Sequence, residues 1–499
     1  MSTTTQRALQ TSVTRRARSV HTTATLLGLL AAALGAAFIP VPSIWYDEAA
    51  TVVSATRSWA ALWQMVQQVD AVHAAYYAAM HLWFDLVGYS PFSLRAPSAI
   101  AGGLGVALAV ELVDRLAHRR LAIITGIVLM LIPRYTWAMS EGRSYALSST
   151  LAILTTLPLV TAVDTRPRSI TRQRMAWTLY AVGCVVAIAC FAYLALLVVA
   201  HAVTVLLWAR RRRASLPAFG FAPGAAALIV LPLLLAIAGQ SGQVSWIEAT
   251  GWQSFGSFFI TQYSPANPAF ALVAWVAAAG GLVLAFRTRP LERVRTVFWP
   301  VLVLPAAALI AVSFVKPLYS PRYLSFTAVA FAFFIAVAVD ALATRRRGSL
   351  TAGVAMLAAL SAPSYISQRL PEAKQSSSWA AVASLVAQHS PAPGTETAIV
   401  YDRVAGHPTT TARIIADSYP TAFVGLHDIA LTIPYADAST LWGAQTAVQE
   451  SMLTGMDASW LIASDRSNAS AAISTIESAG LEPVQHWHLS NVDVYYFAR

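Results

Sequence analysis

The sequence predicts a mainly α, polytopic membrane protein with a soluble α/β domain at its C-terminal end. Three observations carry this. Only 11% of the 499 residues are charged while 57% are hydrophobic, against about 25% charged in soluble globular chains. Mean hydropathy is +0.57, and long apolar runs recur from Thr22 to about Tyr365. Beyond Gln368 the composition turns, and residues 370–499 hold 12 of the 23 acidic side chains. The net charge of +11 does not indicate nucleic acid. Its arginines sit in short clusters between apolar runs, as topology determinants do, and not interleaved with aromatics along one groove.

A membrane-spanning helix needs about 20 apolar residues. Such runs predict eleven spans, near 22–42, 94–114, 120–138, 144–163, 176–192, 193–209, 219–238, 268–286, 296–315, 322–342 and 349–366. With residues 1–21 as a basic cytoplasmic N-terminus, alternate loops carry Arg7 to Arg18, Arg115 to Arg120, Arg166 to Arg174, Arg210 to Arg213, Arg287 to Arg295 and Arg345 to Arg347. Those loops hold 22 basic residues, whereas the opposite side of the region 22–366 receives Arg57, Arg95, Arg134, Arg143, Lys316 and Arg322. The asymmetry predicts a cytoplasmic N-terminus and an extracytoplasmic C-terminal domain, 370–499. The first apolar run is long and no clear cleavage site follows, which predicts a retained anchor. His73–Gly88 is too short for a span and contains His81 and Asp85. Counting it would invert every later loop, so an interfacial amphipathic helix within an outer loop 43–94 is expected.

In the C-terminal region the expected pieces are helices at Ser378–Gln388, Thr440–Leu453 and Ala469–Ser478. Strands are expected at Thr397–Tyr401, Thr421–Gly425, Trp460–Ala463 and Val492–Phe497. No glycine-rich phosphate loop interrupts it, so nucleotide binding has no support. Cys184 and Cys190 share one apolar segment without a Cys-x-x-Cys or histidine partner, and read as packed core residues. No internal repeat is visible, which counts against inverted-repeat transporters.

Charge near membrane depth is costly and by default functional. The outer side gathers it in three places. Asp47-Glu48 follows the first span and either caps the next helix or supplies a base tuned by a like charge. Glu141 and Arg143 stand where the fourth span begins, where Glu141 can cap that helix or pair with Arg143. Arg322 and Tyr323 enter the tenth span with Lys316 nearby. Arg322 is either a snorkelling residue or a ligand for a lipid phosphate. If the three loops converge, they suit a lipid-linked phosphodiester donor and a hydroxyl acceptor.

Five segments, in order, carry a resemblance. They are Trp45-Tyr46-Asp47-Glu48-Ala49, the run Asp70 to Tyr77 (relatives read D-x-H-P-P-L-Y-Y), Gly88 to Ser98 (G-x-S-E-F-x-x-R-x-P-S), Glu141 to Leu147 (E-A-R-P-Y-A-L) and Pro321-Arg322-Tyr323-Leu324. On these the chain resembles the GT-C class of polyprenyl-phosphate-sugar-dependent glycosyltransferases, in the branch with protein O-mannosyltransferases and lipid A aminoarabinose transferases. The match is good over about 40–150 and loose over 175–345. Two departures stand out: Ala74-Ala75 replaces Pro-Pro and Ser144 replaces Pro, which bears on loop rigidity more than on chemistry.

The resemblance implies an inverting transfer from a polyprenyl-monophosphate sugar on the extracytoplasmic face. It implies Asp47 as general base, Glu48 as its support or a sugar ligand, and Glu141 as an acceptor-orienting group or a ligand for a divalent ion in members that use one. Arg143, Arg322 and Lys316 would hold the leaving phosphate. His73, Tyr76, Tyr145 and Tyr323 would line the substrate pocket, with a structural histidine an equal reading at His73. Mannose is the first expectation for the sugar, with a pentose as the other, and the acceptor is a glycan, lipid or protein hydroxyl. No cofactor is required, and no compact motif such as His-Glu-x-x-His marks a metal site, although His73, His81, Asp47, Asp70 and Glu141 offer ligand atoms. Two alternatives stand beside this reading. A transporter or flippase of a lipid-linked glycan would place charges mid-span, whereas here they cluster at outer ends. A degenerate enzyme kept as a scaffold would not be expected to keep Asp47, Glu48, Glu141 and Arg143.

Overall fold

The computed structural model describes residues 3–164, 169–209, 215–244, 247, 251–345, 348–389, 394–404, 407–464 and 469–499. Its helices run in order α1 (Thr3–Ala36), α2 (Tyr46–Ala55), α3 (Trp59–Gln68), α4 (Ala74–Val87), α5 (Pro91–Leu116), α6 (Arg119–Leu131) and α7 (Pro133–Met139). Then come α8 (Tyr145–Val163), α9 (Ile170–Cys190), α10 (Ala195–Ala209), α11 (Ser215–Gly239), α12 (Trp252–Thr261) and α13 (Pro268–Arg287). The rest are α14 (Glu292–Ser313), α15 (Ala328–Arg345), α16 (Ser349–Ser367), α17 (Trp379–Gln388), α18 (Arg413–Ser418) and α19 (Ser470–Ser478). Among the described residues eight helices are long and apolar enough to cross a membrane, or nine if the bent pair α6–α7 is one span. Val20–Ala36 and Ala192–Trp208 are apolar but shorter. Each of the eleven expected runs falls on one of these helices. Of the basic clusters, residues 166, 168, 210–213 and 346–347, and the side chains of Arg7 to Arg18 and Arg345, lie outside what is described.

The chain divides into two compact units: Met1–Ala37, Val72–Tyr76 and Arg95–Ile366 form one, and Phe38–Ala71, Tyr77–Leu94 and Ser367–Arg499 the other. In the helical unit α15 is central. Phe331, Phe333, Phe334 and Ile335 are all fully buried, as a helix apolar all round must be. It packs on α6 and α13. Gly281 of α13 permits that approach, because a Cβ there would sit 1.7 Å from the carbonyl oxygen of Phe334. The third expected span, 120–138, is not straight: α6 and α7 meet at 69°. The cause is local. Pro133 opens α7, and Ile132 before it is extended at ψ 121°, the conformation that a following proline enforces.

The second unit joins Phe38–Ala71 and Tyr77–Leu94 to the C-terminal region. Its strands are β1 (Thr397–Tyr401), β2 (Arg403–Val404), β3 (His407–Thr411), β4 (His427–Asp428), β5 (Leu431–Ile433), β6 (Ala444–Gln445), β7 (Ala458–Ser464), β8 (Glu482–Leu489) and β9 (Val492–Ala498). The main sheet has the order β4-β1-β7-β9-β8, with β4, β1 and β7 parallel and β9 and β8 antiparallel. β1 is buried throughout and β7 almost so, which explains their unbroken apolar runs. The segment after α1 is tied to this region by hydrogen bonds. Ser43 N donates to the Pro371 carbonyl (2.7 Å), Ile44 N donates to the Tyr419 hydroxyl (2.8 Å), and Ser377 Oγ donates to the Ile44 carbonyl (2.6 Å).

Two expectations here are overturned. Thr421–Gly425 is no strand: Pro420 starts a 3-10 turn, Pro420–Phe423, because proline favours the first position of a helical turn. Thr440–Leu453 is no helix. It contributes β6 and a 3-10 turn at Glu450–Leu453, and the carbonyls of Thr440 and Leu441, which a helix would use, are taken by Arg57.

Gly281→Ala should lower the thermal unfolding temperature of the detergent-purified protein. Overpacking costs about 1–3 kcal/mol, and here the neighbour is rigid backbone. An unchanged melting temperature would contradict the packing described.

Candidate functional site

In the helical unit the expected loops at Glu141 and Arg322 do come together. Ser98 of α5 donates through Oγ to the carbonyls of Glu141 (2.6 Å) and Arg143 (3.2 Å), pinning the turn between α7 and α8. Glu141 is fully buried and Arg143 nearly so. Arg143 Nη2 lies 3.0 Å from His73 Nε2. Burial first, then Arg143 and Arg322, hold His73 well below the usual imidazole range. His73 is therefore neutral near pH 7 and can accept from the guanidinium. Arg322 lies beneath the ring of Tyr323 (5.8 Å to the centroid), and Tyr323 stacks on Tyr193 at 4.7 Å. Phe191 meets both Tyr145 and Tyr323 edge-on. Tyr76 is buried. Lys316 is exposed beyond the end of α14 and takes part in none of these contacts.

Three residues that sequence reasoning did not assign to the site hold it in shape. Arg134 donates to the carbonyls of Thr261 (2.8 Å) and Gln262 (3.2 Å) and lies within electrostatic reach of Arg322, Tyr145, Tyr319 and Glu141. Gln262 Nε2 donates to the Pro321 carbonyl (3.0 Å), and its Oε1 accepts from the Tyr319 hydroxyl (3.0 Å). Tyr193 supplies the stack. Arg134 was visible as a basic residue apart from the arginine clusters; Gln262 and Tyr193 carry no signal that separates them from their apolar surroundings.

In the second unit Asp47 and Glu48 lie in the first turn of α2, behind Trp45 as N-cap. The capping reading is thus corrected: neither carboxylate is the cap, though both sit where the helix dipole favours negative charge. Glu48 is fully buried and Asp47 partly accessible. Tyr46, beside them, meets Trp442 at 5.2 Å with the rings 60° apart, and its hydroxyl lies 3.2 Å from the indole Nε1 and 3.3 Å from Thr410 Oγ1. Tyr77 donates to Asp70 (2.7 Å) across the turn that carries His73. His81 contacts the Ala55 carbonyl at the end of α2 (2.9 Å) and pairs with Asp85 (3.3 Å). Among the described residues no three His, Cys, Asp or Glu side chains are grouped to hold a metal ion.

Arg57, 1% exposed, closes α2. It donates to Val53 O of its own helix (3.0 Å) and to the carbonyls of Ala438 (2.5 Å), Thr440 (2.9 Å) and Leu441 (2.7 Å). Asp417 lies within its electrostatic reach, and Arg413 holds Asp428 through two bonds, of 2.5 and 2.8 Å. Burial pushes the Asp417 carboxyl up to about 7, against the pull of Arg413 and Arg57 and with the help of Asp428.

No family model and no curated protein matches the chain. Solved structures do. ArnT from Cupriavidus metallidurans in the apo state matches with TM-score 0.62 at 12% identity, over 94% of this chain and 97% of that one. The same protein bound to undecaprenyl phosphate matches with TM-score 0.56 at 13% identity, over the same shares. The chain has the GT-C fold. AglB from Archaeoglobus fulgidus, in complex with an inhibitory peptide and a dolichol-phosphate, matches with TM-score 0.50 at 10% identity, over 89% of this chain and 69% of that chain. The GT-C likeness extends through the C-terminal sheet region, since nearly the whole of ArnT is covered.

The raised Asp417 carboxyl has a defined pH consequence. Between about pH 4 and 7 the folded chain holds a proton there that the unfolded chain has lost. Asp417 therefore contributes less to stability as pH rises through that window. Thermal unfolding at pH 5 and pH 8 should show a smaller fall in melting temperature for Asp417→Asn than for wild type. Equal falls would mean that Asp417 does not titrate there.

Proposed function

We propose that the protein is a membrane glycosyltransferase. It moves a sugar from a polyprenyl-phosphate donor to a hydroxyl acceptor on the extracytoplasmic face, with inversion at the anomeric carbon. The observation that carries this is the clustering of Arg143, Arg322 and neutral His73 beside a buried Glu141, in a fold shared with a protein solved bound to undecaprenyl phosphate.

The chemistry follows from the groups available. A carboxylate base, Asp47, takes the proton of the acceptor hydroxyl as its oxygen attacks the anomeric carbon. The bond from that carbon to the phosphate oxygen breaks, and the phosphate leaves with one more negative charge than it had in the ester. Arg143 and Arg322 meet that growing charge, which is stronger in the transition state than in the ground state and so lowers the barrier. His73 stays neutral and orients the Arg143 fork. Glu48, buried one residue from Asp47, supports the base by holding the first turn of α2. Tyr76, Tyr145 and Tyr323 line the donor pocket in this reading, and Lys316 adds long-range positive charge. The lipid carrier delivers the sugar already activated, so no cofactor is needed. The sugar is mannose as first choice, with a pentose next.

Purified wild type offered a panel of polyprenyl-phosphate sugars should turn over one of them, and should do so after exhaustive chelation. Asp47→Asn should still bind that donor and lose at least a hundredfold in transfer. Arg143→Gln and Arg322→Gln should weaken donor binding as well. Wild type that is folded yet neither binds nor turns over any donor would overturn the proposal. In this reading the N-terminus is cytoplasmic and 370–499 lies outside. Single cysteines introduced in 370–499 should react with an impermeant thiol reagent in intact cells, and labelling only after lysis would reverse the orientation.

A further inference from the structure

Helices α3 and α4 expose a surface that is apolar and nearly free of charge. Ser58 caps α3 through its hydroxyl, and Leu62, Met65 and Val66 turn inward. Trp59 and Trp63, one turn apart, stay outside at 49% and 66% exposure. On α4, Leu82 and Leu86 repeat that spacing at 60% and 77%. The two helices meet where the Trp59 ring lies 4.2 Å from that of His81, which also contacts the Ala55 carbonyl at the end of α2 (2.9 Å). Residues 58–92 contain no lysine or arginine. Of their carboxylates, Asp70 accepts from Tyr77 (2.7 Å) and the exposed Asp85 is paired with His81 (3.3 Å).

Chain continuity indicates what covers this surface. Val87, half exposed, ends α4, and residues 88–90 lead into α5, a 26-residue helix long and apolar enough to cross a membrane. Three residues reach about 10 Å at most, so the end of α4 stays near the level at which α5 enters the bilayer. The turn between them is stiff. Trp83 Nε1 donates to the Ser93 carbonyl (2.8 Å), and the backbone N–H groups of Ser90 and Ser93 each donate to the other's hydroxyl (2.7 and 3.0 Å).

We infer that α3 and α4 lie along the bilayer, with Trp59, Trp63, Leu82 and Leu86 seated at the boundary between headgroups and acyl chains. The exposed tryptophans of α3 extend this surface beyond the 73–88 segment expected from sequence. Tryptophan favours that depth because its ring is apolar and its N–H polar. Without lysine or arginine the docking depends on buried apolar area and not on anionic lipid. Through the contact of His81 with Ala55, α2 is tied to the membrane surface. Asp47 stands about 12 Å along that helix from Ala55. This placement holds whether or not the chain transfers sugar.

The test is electron paramagnetic resonance on the full chain in phospholipid nanodiscs, with Cys184→Ala and Cys190→Ala as background and one spin label at a time. Labels go on Trp63→Cys, Leu86→Cys and, as an aqueous reference, Glu482→Cys on the exposed strand β8. Power saturation compares collisions with oxygen, which concentrates in lipid, and with a water-soluble nickel complex. The oxygen-to-nickel ratio at 63 and 86 should be at least about threefold that at 482. It should not change when phosphatidylglycerol is mixed into phosphatidylcholine. Equal ratios at the three positions place the face in water and overturn the inference. Low accessibility to both reagents at 63 and 86 means that a second copy or a protein partner covers the face, and overturns it too. A ratio that rises only with phosphatidylglycerol overturns docking by apolar area. If a substitution prevents folding, Ala60→Cys or Val87→Cys, exposed on the same helices, replaces it. If the cysteine-free chain does not fold, both thiols are kept and the signal of the labelled parent is subtracted.

Discussion

Buried charge in a chain this poor in charge constrains almost everything around it. Arg57, Arg95, Glu48 and Glu141 are at most 1% exposed, and an ion removed from water costs several kcal/mol unless its surroundings replace the lost hydration. Arg57 and Arg134 meet that demand in the same way, by donating to backbone carbonyls of segments distant in sequence. A carbonyl satisfies a donor without cancelling the positive charge. Arg134 therefore fixes the 261–263 segment and still contributes positive potential to the cluster of Arg143 and Arg322. The same bonds that settle the guanidiniums also set the loops, so site shape and charge burial have one cause.

The apolar helices were legible because period and length dominate in them, and the eleven expected runs all overlap helices, eight or nine of them long enough to span among the described residues. The break at Ile132–Pro133 was present in the sequence as a proline, yet hydropathy averages across it. In the second unit, β1, β7, α19 and β9 were legible from unbroken apolar runs or clear alternation. β8 was not, because Glu482–Leu489 is an exposed edge whose pairing to β9 supplies the order that its own sequence lacks. Thr440–Leu453 shows the opposite failure. Its spacing suits a helix, but the buried Arg57 at the end of α2 claims two of its carbonyls, and tertiary demand overrides local preference.

The site itself was half legible. Charged residues at the ends of apolar runs stand out, so Glu141, Arg143 and Arg322, which the helical unit gathers around His73, could be named in advance. The groups that place them could not. Gln262 acts through two ordinary amide bonds, Tyr193 through a stack, and Ser98 through one hydroxyl on two carbonyls. None of these uses a residue type that stands out in an apolar background. Positioning is cheap in charge and therefore quiet in sequence.

That quietness bears on the two departures from the sequence pattern that the chain resembles. Where that pattern has Pro-Pro after the histidine, this chain has Ala74-Ala75, without the rings that would stiffen the turn. Here α4 begins at Ala74 itself. Proline is favoured at the first helical position because its φ is already set, and alanine reaches the same start through high helix propensity. The turn before it is closed by Tyr77 on Asp70, a residue held at φ +59°. Ser144 replaces the other proline, but the turn it ends is already pinned at the Glu141 and Arg143 carbonyls by Ser98. In both places hydrogen bonds tie the turn where a proline ring would otherwise restrict it, next to His73 in one case and Arg143 in the other.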